Sequence, residues 1–152
     1  MQLSDNFSLY EFIRSDTAQS LGITNEPTQE HKDNIQALVD QVLQPFRDKI
    51  RKPMVITSGY RGEELNKAVG GVSTSQHSKG EAVDFHVKGV QTHVLAKMLV
   101  DSGLPFDQLI LEYGRNSTWI HVSHKRSSAN RGEVLTAKWN GKKMVYHKGL
   151  VP

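Results

Sequence analysis

Between Thr28 and Ile50 the residues Ile35, Leu38, Val39, Val42, Leu43 and Phe46 recur at three- and four-residue steps, and this spacing limits the fold more than any other feature of the chain. It predicts one long helix with a single apolar face, which a second layer must cover. Pro45 lies inside that stretch, where a missing N–H and a bulky ring are expected to kink the helix or end it early. The covering layer is expected from β-type runs. Met54-Val55-Ile56-Thr57 reads as a short buried strand, and the alternation in Ala82 to Val87 as a half-buried one. Gln108 to Tyr113 and Thr118 to Ser123 flank Gly114-Arg115-Asn116-Ser117 and predict a hairpin, and Asn140-Gly141 predicts a second within Lys138 to Val145. Shorter helices are expected after the capping pattern Ser8-Leu9-Tyr10-Glu11, through Glu63, Leu65 and Ala68 up to Gly70-Gly71, and from Val90 to Ser102. The fold class read from these elements is α+β, an antiparallel sheet with flanking helices.

With 152 residues the chain fits one domain, residues 1–152, with one core. It is 37% hydrophobic and 23% charged, as an ordinary folded enzyme or binding module would be. No run nears the roughly 20 apolar residues that cross a bilayer, and Met1 to Tyr10 lacks a basic region followed by an apolar core. The expectation is a chain made in the cytoplasm without a signal peptide and without membrane insertion. Cysteine is absent, which excludes thiolate zinc sites, disulfides and a cysteine nucleophile and leaves any metal to histidine and carboxylate. A net charge of +3 favours approach to polyanionic surfaces such as bacterial walls. Lys125-Arg126 and Lys142-Lys143 are too short to form a basic run, so no nucleic-acid partner is expected.

The stretch Ser75-Gln76-His77-Ser78-Lys79-Gly80-Glu81-Ala82-Val83-Asp84 carries the chemistry, because a loop histidine and a strand aspartate can meet across the turn that a glycine permits. A catalytic zinc takes three protein ligands and keeps a fourth position open. In Trp119-Ile120-His121-Val122-Ser123 a histidine lies inside an apolar strand, where an unpaired imidazole is costly to bury and a metal would account for it. These segments resemble peptidase family M15, the zinc D-Ala-D-Ala carboxypeptidases and L-alanyl-D-glutamate endopeptidases, and its small phage and prophage members in particular. The shared pattern is Ser-Gly-Tyr-Arg at Ser58 to Arg61, Ser-x-His-x-x-Gly-x-Ala-x-Asp at Ser75 to Asp84, and Trp-x-His at Trp119 to His121. The resemblance implies the D-Ala-D-Ala carboxypeptidase/hedgehog-like fold and zinc on His77, Asp84 and His121. It also implies that Arg61 holds the scissile carbonyl or a substrate carboxylate and that the Ser75 hydroxyl contacts substrate.

The general base departs from the family pattern. Many members carry an acid three residues before the last histidine or a histidine two before it, and here Thr118 and Trp119 stand in those places. The hairpin register offers Glu112 instead, opposite Trp119, with Ile110 opposite His121; Glu112 and His121 then share a face at roughly 7–8 Å between backbones. A slip of one residue would turn Glu112 away. His86, on the face of Asp84, and His124 are the competing candidates, with a surface or supporting role favoured for both. The resulting expectation is a monomeric zinc metallopeptidase that hydrolyses peptidoglycan stem peptides, an endolysin-type L-Ala–D-Glu endopeptidase or a D-Ala-D-Ala carboxypeptidase, acting on the bacterial wall after phage-type release or virion delivery. A non-catalytic wall-binding module on the same fold is the alternative.

Overall fold

The computed structural model describes all 152 residues. The long amphipathic stretch is helical from Gln29 to Ile50, in three consecutive pieces: α3 (Gln29–Leu38), one wider turn of π-helix (Val39–Leu43) and α4 (Gln44–Ile50). Pro45 neither ends nor interrupts it. The Gln44 N–H donates to the Val39 carbonyl, five residues back, and the wider turn takes up the proline ring and its missing donor. All six apolar residues of the stripe are buried.

Four further helices precede, follow or separate the strands: α1 (Leu9–Ile13), α2 (Asp16–Leu21), α5 (Glu63–Ala68) and α6 (Thr92–Asp101). At the start of α1 the Glu11 carboxylate accepts from the Ser8 N–H at 2.7 Å, as the capping pattern requires. Helix α2 escapes the periodicity reading because Ala18 is its one buried residue, although Ser15 caps its start and Gly22, at φ +66°, closes it.

Six strands form one sheet in the order β1-β2-β4-β3-β5-β6: β1 (Val55–Ser58), β2 (Ala82–His86), β3 (Gln108–Tyr113), β4 (Thr118–Ser123), β5 (Glu133–Trp139) and β6 (Met144–Lys148). Every pairing is antiparallel except β3 with β5. The parallel pair arises because residues 124–132 carry the chain past the N-terminal end of β3, so β5 joins on the side away from β4. Asp107 fixes that return. Its carboxylate is fully buried and accepts from the Arg131 backbone N–H at 2.9 Å and from the Arg131 guanidinium at 2.8 and 3.1 Å.

Alternation along the strands separates the two faces of the sheet. Val83, Phe85, Leu109, Leu111, Ile120 and Val122 point into the core, where they meet the α3–α4 stripe, Phe12 of α1 and Leu95 and Leu99 of α6. Asp84, Ile110, Glu112, Trp119 and His121 alternate with them and therefore project from the opposite face. One continuous core thus backs the face that carries the chemistry.

Candidate metal centre and cleft

His77 sits on a 3-10 turn, Gln76–Lys79, inside the segment whose composition reads as a loop. The Ser75 hydroxyl starts the turn by accepting from the His77 N–H at 3.2 Å, and Gly80, at φ +76°, ends it. A Cβ on Gly80 would lie 2.6 Å from the His31 carbonyl oxygen of α3, so the reversal between His77 and Asp84 needs glycine for its dihedral and for space. Asp84 and His121 are register partners on β2 and β4.

These three side chains converge. His77 Nε2 lies 3.4 Å from Asp84 Oδ1 and His121 Nδ1 lies 3.1 Å from the same oxygen, and one ligand atom from each residue falls within 4.8 Å of the others. His77 Nδ1 is 2.8 Å from the Gly59 carbonyl, which can only accept, so Nδ1 carries a proton and Nε2 is turned toward Asp84. Burial alone would raise the pKa of Asp84, but the charge on the two imidazoles and their hydrogen bonds outweigh it and hold the carboxyl well below its usual range. The group is a carboxylate at any physiological pH.

The cluster opens into a cleft of about 770 Å³ lined in part by Arg61, Ser75, Glu112, Trp119, Met144 and Tyr146. The β3–β4 register is the one the hairpin predicts, with Glu112 opposite Trp119 and Ile110 opposite His121. Trp119 donates its indole N–H to Glu112 Oε2. Burial first, and then the Asp84 charge, push the Glu112 carboxyl up to about 7, against the opposing pull of His121, the Trp119 hydrogen bond and Arg61. Arg61 follows β1, and its backbone N–H donates to the His77 carbonyl at 3.0 Å. Its Nε is buried without a partner, a donor left over in the cleft wall.

His86 and His124 stand apart from the cleft lining. His124 is buried with Nδ1 2.8 Å from the Pro105 carbonyl, a hydrogen bond that accounts for its burial. The residues that sequence reasoning passed over are Trp119 as a partner of Glu112, the Gly59 carbonyl behind His77, and Met144 and Tyr146. Hairpin register already placed Trp119 opposite Glu112. No sequence signal aligned β6 with the cleft.

A family model for peptidase M15 matches residues 5–123, a span that holds the three converging residues, Arg61 and Glu112. The chain belongs to the peptidase M15 family. No curated protein matches it. For this M15 chain the class is that of zinc metallopeptidases, and the donor set fits such an ion. Ligand atoms around a tetrahedral zinc at ~2.1 Å lie about 3.4 Å from one another, close to the 3.4 and 3.1 Å that separate His77 Nε2 and His121 Nδ1 from Asp84 Oδ1. Three protein donors, two imidazoles and one carboxylate, leave one position free, as catalytic zinc sites do. The Gly59 carbonyl behind His77 supplies the orienting hydrogen bond that ligating histidines need. The match ends at β4, so β5 and β6 lie beyond it.

Proposed function

We propose that this M15 chain is a zinc-dependent murein peptidase, with the metal on His77, Asp84 and His121, and that it cuts inside peptidoglycan stem peptides at the L-Ala–D-Glu bond. The observation that carries the reading is the meeting of those three side chains in a cleft that also presents Arg61 and Glu112. When bound, zinc supplies Lewis acidity toward the scissile carbonyl and lowers the pKa of a coordinated water from 15.7 toward ~7.

Glu112 is the only acid of that cleft face outside the ligand triad and its immediate turn. Burial raises its carboxyl above the usual range in the metal-free protein, and it would take a proton from the attacking water and then give it to the leaving amine. Trp119 fixes which carboxylate oxygen faces the water, because its indole N–H occupies the other. Arg61, whose side chain lines the cleft, would donate to the carbonyl oxygen as negative charge develops there. A carboxylate at Glu112 in the same cleft as the ligand triad favours an enzyme over a wall-binding module.

Cleft shape supports an internal bond. The lining runs from Val69 and Val72, on the β1 side of the sheet, to Met144 and Tyr146 on β6, while Asp84 and His121 occupy β2 and β4 between these limits. Peptide can therefore extend on both sides of the scissile bond. The test is to incubate the zinc-loaded protein with the pentapeptide L-Ala-γ-D-Glu-L-Lys-D-Ala-D-Ala and identify the products. A new D-Glu amino terminus is expected; release of D-Ala instead makes the protein a carboxypeptidase, and an intact peptide with metal bound ends the enzymatic reading.

A further inference from the structure

The β5–β6 hairpin lies beyond the residues matched by the family model, yet it supplies one wall of the cleft. Strand register shows how. Trp119 pairs with Glu112, Glu112 with Ala137, and Ala137 with Tyr146, so these four residues form one row across β4, β3, β5 and β6. Residues of a row point to the same face of a sheet. Ala137, between Glu112 and Tyr146, contributes a single methyl group and is fully buried. Tyr146 is 56% exposed and Met144, two residues before it on the same face, is half-buried, so neither is committed to the core.

Direction follows from the order of the strands. The three converging residues lie on β2, β4 and the 3-10 turn, Glu112 lies on β3 and Tyr146 on β6. On the function proposed above, on which this step rests, Glu112 returns its proton to the leaving amine. The amine must then stand beside Glu112, and the peptide C-terminal to the cut continues along the cleft toward Met144 and Tyr146, its lining on β6. Neighbouring strands are about 4.8 Å apart, so Tyr146 stands roughly 10 Å from Glu112 at the backbone, a distance of about three extended residues.

We infer that Tyr146 and Met144 form an apolar subsite for the leaving-group side of the substrate, which receives the aliphatic part of the diamino acid two residues after the cut. Tyr146 is a positioning and specificity residue: its ring binds the departing peptide and takes no part in proton transfer.

The experiment measures binding of the leaving-side tripeptide γ-D-Glu-L-Lys-D-Ala to the metal-free protein by calorimetry, alongside kcat and KM of the zinc-loaded protein on the pentapeptide. Tyr146→Ala is expected to weaken the tripeptide by about tenfold and to raise KM by a similar factor with kcat within about twofold, because a large apolar contact is removed from bound peptide alone. Tyr146→Phe, which keeps the ring and guards against a folding defect, should stay within about twofold in both. Unchanged tripeptide affinity in a folded Tyr146→Ala protein overturns the inference, as does a fall in kcat at constant KM. The two readings fail separately. Tripeptide binding that depends on Tyr146 in a protein that cuts nothing refutes the peptidase and keeps the subsite, whereas cleavage indifferent to Tyr146 refutes the subsite and keeps the peptidase.

Discussion

Glu112 and Asp84 are two carboxylates of one cleft with opposite assignments. Both are half-buried, but Asp84 has two imidazoles against it and stays ionised, while Glu112 has one indole N–H and a nearby negative charge and is pushed up to about 7. Such a separation distinguishes a ligand from a proton carrier. Glu112→Gln should therefore leave zinc stoichiometry unchanged and lower kcat by about a hundred- to ten-thousand-fold, read by metal analysis and pentapeptide turnover. Full activity with zinc bound would remove Glu112 from the mechanism. Trp119 tests the same group from its other side. The indole N–H favours the carboxylate, so Trp119→Phe raises the pKa of Glu112 further, and the acidic limb of kcat/KM against pH should move to higher pH. A limb that stays in place would mean that another group sets it. That His77, Asp84 and His121 come together was expected from their residue types combined with the M15 resemblance, since a single histidine or aspartate fits many roles. Trp119 was not read as a partner of Glu112, since a tryptophan in a strand fits packing equally well.

At the scale of elements, the turn from His77 to β2 and the return from β4 to β5 each depend on one residue. Gly80 holds the left-handed dihedral and lies against the α3 backbone, so Gly80→Ala costs about 1–2 kcal/mol for the dihedral alone, and pushing α3 aside adds to it. A lower thermal midpoint and weaker zinc binding are expected together, since His77 rides on that turn; an unchanged zinc affinity would show that the turn does not place the ligand. Asp107 anchors the other connection and also accepts from Gln76 at 3.3 Å, next to His77. Asp107→Ala removes the acceptor of Arg131 and frees residues 124–132, and a loss of about 1–3 kcal/mol by denaturant unfolding is expected, since the half-exposed Arg131 side chain can turn to water. The β3–β4 hairpin, its register and the long helix were legible because period, turn chemistry and burial agree there. The parallel β3–β5 pair was not, because alternation identifies a strand and not its neighbour. Pro45 marked the right place in the helix, but tight packing of Val39, Val42 and Leu43 keeps the chain helical through a wider turn where an isolated peptide would break.

For the whole molecule, the site and the fold are linked through protons. Glu112 has a folded pKa raised from 4.5 to about 7, so the folded metal-free protein holds a proton that the unfolded chain has released, and this contribution to stability is lost as pH rises through that window. Asp107 acts in the opposite sense. Burial alone would raise it, but hydrogen bonds and charge from Arg131 and Lys125 bring it from 3.8 to about 2, so its contribution is present above the unfolded value and is lost as pH falls through about 2. Metal-free protein should then be most stable at roughly pH 4–5, between the two windows. Zinc reverses the upper slope: its ligands bind deprotonated, so its contribution grows as pH rises. At a hundredfold excess over Kd the ion adds about 2.7 kcal/mol, or roughly 5–10 °C in Tm for a chain of this size. Melting curves of apo and zinc-loaded protein from pH 4 to 8 should therefore diverge, the apo midpoint falling above pH 5 and the loaded one rising. Glu112→Gln should flatten the apo fall, and His121→Ala should bring the loaded curve down onto the apo one. An apo slope that persists in Glu112→Gln would place the responsible proton elsewhere, and a zinc increment that survives His121→Ala would place the ion outside this cleft.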